Sequence, residues 1–324
     1  MAVHRAETGP RCAPAHGDPR MSSFAEDLHA ALAGPEHAIS PKYFYDAQGS
    51  ALFEQICELP EYYPTRTELA LLKRHADEFA ARMGPGAQLI EYGAGALVKV
   101  RLLLERAQQL HSFVPVDISG PHLLAACESL QREQPALRIL PVVADFTRMH
   151  VLPDAPADGR RVGFFPGSSI GNFNPDEALE FLRLLREELD GGALLIGVDL
   201  IKDPARLHAA YNDASGVTAR FNLNVLRHAQ RELKLECDPG GFDHYAFYDP
   251  RKHRIEMHLL PRGEQHLQLQ GRRYTLVPGE SLHTENSYKY SVESFQALAR
   301  EAGFKPSAHW TDDQRWFSLH WLEA

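Results

Sequence analysis

Two patterns of apolar positions run along this chain, one recurring every three to four residues and one of short unbroken apolar runs, and their alternation predicts the fold. Thr67 to Met83 carries the helical period. Gln88 to Tyr92 then reads as a buried strand that ends in the turn Gly93-Ala94-Gly95 and feeds a helix over Val100 to Leu110. A second strand is expected at Ser112 to Val116, a helix at Pro121 to Glu133, a third strand at Leu137 to Val143 and a fourth at Arg161 to Phe165. Asn174 or Asp176 caps the next helix, Ala178 to Leu189, and Ala193 to Leu200 is a fifth strand, almost wholly apolar as a strand buried on both faces is. Five strands alternating with helices make a doubly wound parallel sheet the natural architecture, of the α/β class.

The pattern differs on either side. Ser22 to Ala33 predicts an amphipathic helix, with Phe24, Leu28 and Leu32 four residues apart. After Asp203-Pro204 the βα alternation stops, and residues 205 to 233 read as two helices broken near Ser215-Gly216. Strands are expected at Tyr245 to Tyr248, Arg254 to Leu260, Leu267 to Leu276 and Leu282 to Tyr290, which marks an inserted domain. A helix over Val292 to Ala302 follows, then two strands between Trp310 and Leu322 round an Asp-Asp turn, fit to be the antiparallel edge of the first sheet.

Composition narrows the partners. The chain has 324 residues, 44% hydrophobic and 24% charged, enough for a large core. A net charge of −9 and a pI near 6.0 argue against nucleic acid, and no apolar run is long enough for a membrane span. Four scattered cysteines without a C-x-x-C pair read as reduced thiols of a cytoplasmic protein. Residues 1 to 21, rich in Pro and Gly, are expected to be a disordered tail.

The candidate chemistry starts at Gly93-Ala94-Gly95. Such a turn exposes backbone N–H groups and lets a ligand approach where a Cβ would block it, although a plain strand-to-helix turn accounts for it as well. Val98 stands where a dinucleotide fingerprint wants its third glycine, and Glu91 precedes the first glycine by two, the Glu-x-Gly-x-Gly form that resembles motif I of class I S-adenosylmethionine (SAM) methyltransferases. Asp117 ends the second strand, where a carboxylate can accept from both hydroxyls of a ribose. Asp145 and Phe146 end the third, suited to an adenine's amine and ring face. On the strand at 282 to 290, alternation puts Glu285 and Ser287 on one face, a grip for a small heteroaromatic bearing N–H and bare N, or else a solvated face. The aromatic stretches at Tyr43-Phe44-Tyr45 and Tyr62-Tyr63 read equally as a domain clasp or a pocket wall. Seventeen histidines invite a metal, but His253 and His258 fall on opposite faces of one strand and no H-x-x-x-H occurs, so none is expected. Ser169 matches a Gly-x-Ser-x-Gly nucleophile pattern, yet the following helix starts too late for an elbow.

Five separated motifs go further: Tyr45-Asp46…Gly49-Ser50-x-Leu52-Phe53, Leu59-Pro60-Glu61-Tyr62-Tyr63-Pro64-Thr65-Arg66, Gly167-Ser168-Ser169-Ile170-Gly171-Asn172, Ala210-Tyr211-Asn212-Asp213 and Thr284-Glu285-Asn286-Ser287-Tyr288-Lys289. Over residues 22 to 322 the chain closely resembles the histidine-specific Nα-methyltransferases of ergothioneine biosynthesis. The resemblance implies a Rossmann-like class I methyltransferase domain, 67–202 with 290–324, and an inserted α+β substrate-binding domain, 22–66 with 203–289. It implies SAM as cofactor, in a pocket lined by Gly93, Lys99, Asp117, Asp145 and Phe146. It implies L-histidine as substrate, with its carboxylate on Asn172 and Tyr211, its imidazole on Tyr62, Glu285 and Ser287 against Met257, and its reacting amine among Tyr45, Phe53 and Gly167. Three transfers would give trimethylhistidine (hercynine), and a monomer is expected. The turn Ala94 to Val98 departs from the Ser/Thr-rich form of some relatives, so contacts to SAM there would come from backbone. Two alternatives stand beside this: an N-methyltransferase of another amino acid such as tryptophan, whose indole N–H Glu285 could also bind, and an NAD-dependent oxidoreductase.

Overall fold

Apolar runs and helical stretches alternate through the first two thirds of the computed structural model, which describes residues 23–148, 150–155, 157 and 159–324. The expected tail, 1–21, lies outside the described residues. Helix α1 (Phe24–Ala33) opens with a capping box between Ser23 and Glu26, followed by α2 (Ala47–Glu58) and the long α3 (Tyr63–Met83). Then come β1 (Gln88–Tyr92), α4 (Val98–Leu104), β2 (Ser112–Asp117), α5 (Gly120–Glu133), β3 (Val142–Val143), β4 (Arg161–Phe165), α6 (Pro175–Leu189) and β5 (Ala193–Asp199). Asn174 caps α6 in a second capping box with Glu177.

Helices α7 (Pro204–Tyr211) and α8 (Val217–Leu233) precede the strands β6 (Phe242–Asp249), β7 (Arg254–Pro261), β8 (Gln265–Leu269), β9 (Arg272–Leu276) and β10 (Leu282–Tyr288). The chain returns through α9 (Val292–Glu301) to β11 (Lys305–Thr311) and β12 (Phe317–Glu323). The main sheet has the order β11-β12-β5-β4-β1-β2-β3, with β1 to β5 parallel and β12 antiparallel to β5. The chain thus runs outward from β1 through β2 to β3, then resumes on the other side at β4. That reversal is the switch point of a Rossmann-like sheet, where ligands bind beyond the carboxyl ends of the strands.

Four expectations differ, the simplest being that β11 begins at Lys305, five residues ahead of the expected Trp310. The third strand shrinks to Val142–Val143, because Pro141 has no N–H to give the ladder; upstream only Ile139 bridges to Phe113. Helix α4 starts at Val98, after Leu97 in a left-handed conformation, and stops at Leu104, where the Gln108 side chain takes the carbonyls of Leu104 and Glu105. The run at 267 to 276 is a hairpin and not one strand: Gln270 and Gly271 both have positive φ (48° and 81°), the two-residue turn that matches strand twist.

Apolar residues cover both faces of the main sheet, with Leu89, Phe113, Phe164 and Leu195 on one and Ile90, Val114, Phe165 and Ile196 on the other. A third cluster joins residues 28–63 to residues 207–282, packing α1, α2, α7 and α8 with the β10-β7-β6 sheet. Cys57, Cys127 and Cys237 are free thiols. Among the described residues no helix is long and apolar enough to cross a membrane.

Candidate active site

The carboxyl ends of β1, β2 and β3 meet in one edge. Gly93, closing β1, has a φ of 71°, and a Cβ on it would lie 3.2 Å from the Phe146 ring. Gly93 and Ala94 both donate their N–H to the Val116 carbonyl (2.9 and 3.1 Å), which pins the turn to the end of β2. Asp117, the next residue, accepts the Gly95 N–H through Oδ2 (2.9 Å) and the Ser119 N–H through Oδ1 (2.8 Å), so its carboxylate lies beside the glycine turn. Asp145 accepts the Thr147 N–H and hydroxyl through Oδ1 (3.0 and 2.6 Å), whereas Oδ2 is buried without a hydrogen-bond partner, with Lys42 Nζ 3.6 Å away. A buried acceptor left open is costly, and an exocyclic amine would satisfy it. An open acceptor, the Phe146 ring, a carboxylate beside the turn and a glycine kept clear of any Cβ together fit an adenosine.

Lys99, on α4, places Nζ 2.7 Å from Oε2 of Glu68, a fully buried carboxylate of α3. Glu68 also accepts the Gly167 N–H at 2.9 and 3.0 Å. Gly167 follows β4 with a φ of 82°, and a Cβ there would come 3.1 Å from Lys99 Nζ. Glu68 therefore ties the glycine after β4 to the lysine after β1. A lone glutamate inside a helix gives no sequence signal for this.

Beyond Gly167 lies a pocket whose lining includes Tyr45, Phe53, Tyr62, Asn172, Tyr211, Glu285 and Ser287 as well as Gly167. Met257 is buried and stands opposite Glu285 in the β7–β10 pairing, so the two side chains share a face of the sheet. The motif residues Asp46 and Gly49 shape one wall: Asp46 caps α2 by accepting the Gly49 N–H (2.8 Å) and takes Asn224 Nδ2 of α8 (2.8 Å), with Arg231 beside it. A Cβ on Gly49 would lie 1.6 Å from the Phe44 carbonyl oxygen, so only glycine lets α2 start there. Tyr45, Phe53, Tyr62 and Tyr211 then follow one another edge-on, with centroids 5.7, 6.3 and 6.3 Å apart. On the opposite side Gly171 touches the β10 backbone, where a Cβ would lie 2.7 Å from the Tyr288 carbonyl, and this brings the turn holding Asn172 against Ser287.

The shift of register in β10 falls between His283 and Glu285, ahead of the pair, so Glu285 and Ser287 do share a face, and it is the pocket face. Among the described residues none donates a hydrogen bond to the Glu285 carboxylate, and burial pushes its pKa up to about 7 against the pull of Lys289. Burial, with the Glu285 charge adding to it, holds the Tyr45 and Tyr62 hydroxyls well above the ordinary tyrosine value. Beside Ser287 lies a network the sequence did not announce, of which Lys289 and Asp199 also line the pocket. Lys289 Nζ meets Asp199 Oδ2 at 2.8 Å and donates to Ser287 Oγ (2.7 Å) and the Tyr211 hydroxyl (3.2 Å). Asp199 also receives Lys202 Nζ (2.6 Å) and the Tyr63 hydroxyl (2.8 Å). These groups sit at opposite ends of the sequence motifs or outside them, so only the fold joins them.

Ser169 donates to the Pro166 carbonyl (3.2 Å), in a turn, with a 3-10 segment before α6 as the late helix start implied. The spacing argument against metal overlooked a cross-strand grouping. Ligand atoms of Glu256, His258 and His283 lie within 4.8 Å of one another, because His258 faces His283 across β7 and β10. Arg254 already donates twice to Glu256 Oε1 (2.8 and 2.5 Å), and the His258 ring nitrogens meet Ser281 Oγ (2.9 Å) and Glu256 Oε2 (3.1 Å). The Glu256 carboxylate and the His258 ring are thus already engaged with protein partners.

A family model described as histidine-specific methyltransferase, SAM-dependent, matches residues 24–324. The chain belongs to this family. Within that family's neighbourhood, a histidine N-alpha-methyltransferase from Mycolicibacterium smegmatis is 40% identical over 308 residues, 93% of this chain and 95% of its own. A protein of the same description from Mycobacterium tuberculosis is 38% identical, over 92% of this chain and 94% of its own. Ergothioneine biosynthesis protein 1 from Neurospora crassa is 33% identical over 86% of this chain, which spans 32% of that longer protein. As a member of the family this chain is a SAM-dependent methyltransferase, which replaces the oxidoreductase alternative.

Proposed function

We propose that this methyltransferase trimethylates the α-amino group of L-histidine to hercynine in ergothioneine biosynthesis, as a cytoplasmic monomer, and that residues 22–66 with 203–289 serve the substrate. The observation that carries the reading is the pairing in one pocket of a carboxylate that receives no hydrogen bond from the described residues, Glu285, with a hydroxyl, Ser287. An imidazole needs an acceptor and a donor side by side, and a hydrocarbon ring would leave both unpaired.

In this reading Tyr62 and Met257 flank the ring, while Asn172 and Tyr211 take the substrate carboxylate. Tyr45, Phe53 and Gly167 surround the amine, and Gly93, Lys99, Asp117, Asp145 and Phe146 hold the cofactor. Bound SAM supplies an electrophilic methyl carbon. The amine must attack uncharged, and an amine held beside a cationic sulfonium loses its proton more readily. Tyr45, whose hydroxyl burial keeps protonated, orients that nitrogen and is no phenolate base. Aromatic faces at Tyr45 and Phe53 accommodate the methylated, increasingly cationic nitrogen through their negative π surfaces.

Mass spectrometry of the product from purified protein, SAM and L-histidine tests this. The mass of three added methyl groups is expected. Methylation of tryptophan or another amino acid, with histidine left unmodified, would refute it.

A further inference from the structure

We infer that Lys289 sets Ser287 as a hydrogen-bond donor toward the substrate ring, so that the site selects a neutral ring with one bare nitrogen. The inference rests on the histidine reading above. An ammonium has three N–H groups and no acceptor, so everything it touches must accept from it. Lys289 Nζ has its three partners in Asp199 Oδ2 (2.8 Å), Ser287 Oγ (2.7 Å) and the Tyr211 hydroxyl oxygen (3.2 Å). The arrangement cannot invert, because Asp199 is buried, held below the usual carboxylate range despite that burial by Lys289 and Lys202, and steadied further by the Tyr63 hydroxyl.

Ser287 Oγ therefore accepts from Lys289, and in the structure it also accepts from the Tyr211 hydroxyl at 2.7 Å. Both of its lone pairs are engaged, and its own proton is left to point into the pocket. If a substrate carboxylate draws the Tyr211 proton away, Lys289 still fills one side of Ser287 Oγ, and donation to the ring remains the satisfied arrangement. Glu285, which receives no hydrogen bond from the described residues, is left as the acceptor for the ring N–H. A ring with two N–H groups would aim one proton at another. Lys289 touches neither ring nor cofactor in this scheme; it is a positioning residue.

The test compares L-histidine with the two pyrrolylalanine isomers, in which the bare ring nitrogen is a C–H, by calorimetry on the full chain with S-adenosylhomocysteine bound. The unsubstituted protein should bind the better pyrrole at least about tenfold more weakly than histidine, because Ser287 loses its acceptor. Ser287→Ala should reduce that ratio to about twofold or less. Lys289→Met should reduce it as well, since a released Ser287 can turn and accept. A ratio between two ligands on one protein does not depend on how much of the sample is folded, so a merely structural role for Lys289 would leave it unchanged. An unchanged ratio in Lys289→Met overturns the inference. If that variant does not fold, Lys289→Gln takes its place with the same criterion. If neither folds, an unchanged ratio in Ser287→Ala overturns it alone. Failure of the unsubstituted protein to bind histidine at all would instead strike the proposed function.

Discussion

Around Gly93 the chain presents backbone, and around Glu285 it presents side chains. The proposed cofactor edge is made from strand ends that follow one another along the chain, and its shape comes from a glycine φ of 71° and from N–H groups that pin the turn to Asp117 and Val116. The proposed substrate end draws Tyr45, Tyr62, Asn172, Tyr211 and Ser287 from five separate segments and seats Tyr211 and Ser287 on the buried charge of Lys289, itself paired with Asp199 and Lys202. A cofactor shared by many enzymes can be held by a turn that tolerates changes in its side chains. A substrate distinguished by one ring nitrogen needs donors and acceptors whose sense is fixed, and buried charge fixes it.

If that contrast is real, the two ends should fail separately. Glu285→Ala should lower kcat/KM for histidine by about a hundredfold or more, while calorimetry finds S-adenosylhomocysteine affinity unchanged. Loss of cofactor affinity instead would mean the two ends are one unit. Glu285→Gln should stabilise the ligand-free protein at alkaline pH. The Glu285 pKa is raised from 4.5 to about 7, so the folded state holds a proton the unfolded chain releases, and stability from this group is lost as pH rises from about 4.5 to about 7. Thermal unfolding at pH 8 should therefore show a gain on the order of 2 kcal/mol for the variant, shrinking toward zero at pH 4; an equal gain at both would contradict the assignment.

Asp117→Ala should weaken S-adenosylhomocysteine by about tenfold, with histidine binding changed less. Equal losses would place Asp117 outside the cofactor side. The smallest effect is expected at Gly93→Ala, about 1 kcal/mol of strain from the left-handed φ together with the 3.2 Å approach to Phe146. Its melting temperature should fall by a few degrees (~3 °C) with cofactor affinity reduced and the Ser287-dependent ring preference intact. A changed ring preference there would show that the glycine turn also shapes the substrate end.

Legibility followed the same division. The βα series could be read directly, and with it the place of Asp117 and the Asp145-Phe146 pair at strand ends, because each strand is a local apolar run. Glu285 and Ser287 were readable as sharing a face because alternation is local too, and the register shift in β10 happens to precede them. Glu68, Asp199, Lys202 and Lys289 were not, since a charged residue in a helix or at a strand end looks solvated until tertiary packing encloses it. The Glu256, His258 and His283 grouping was missed for the same reason: cross-strand neighbours have no fixed spacing in sequence. The single strand expected at 267 to 276 failed on turn chemistry, Gln270-Gly271 being a turn without the more telling Asn or Asp.

The cluster that joins residues 28–63 to 207–282 has a consequence for biosynthesis. The apolar faces of α1 and α2 emerge from the ribosome well before their partners in α7 and α8, with the entire βα series translated in between. At ~5–20 residues per second, that separation leaves the early helices waiting roughly ten to thirty seconds without cover. Newborn chains of this protein should therefore depend on chaperone shielding, or on rapid translation up to residue 207, more than the βα series alone would.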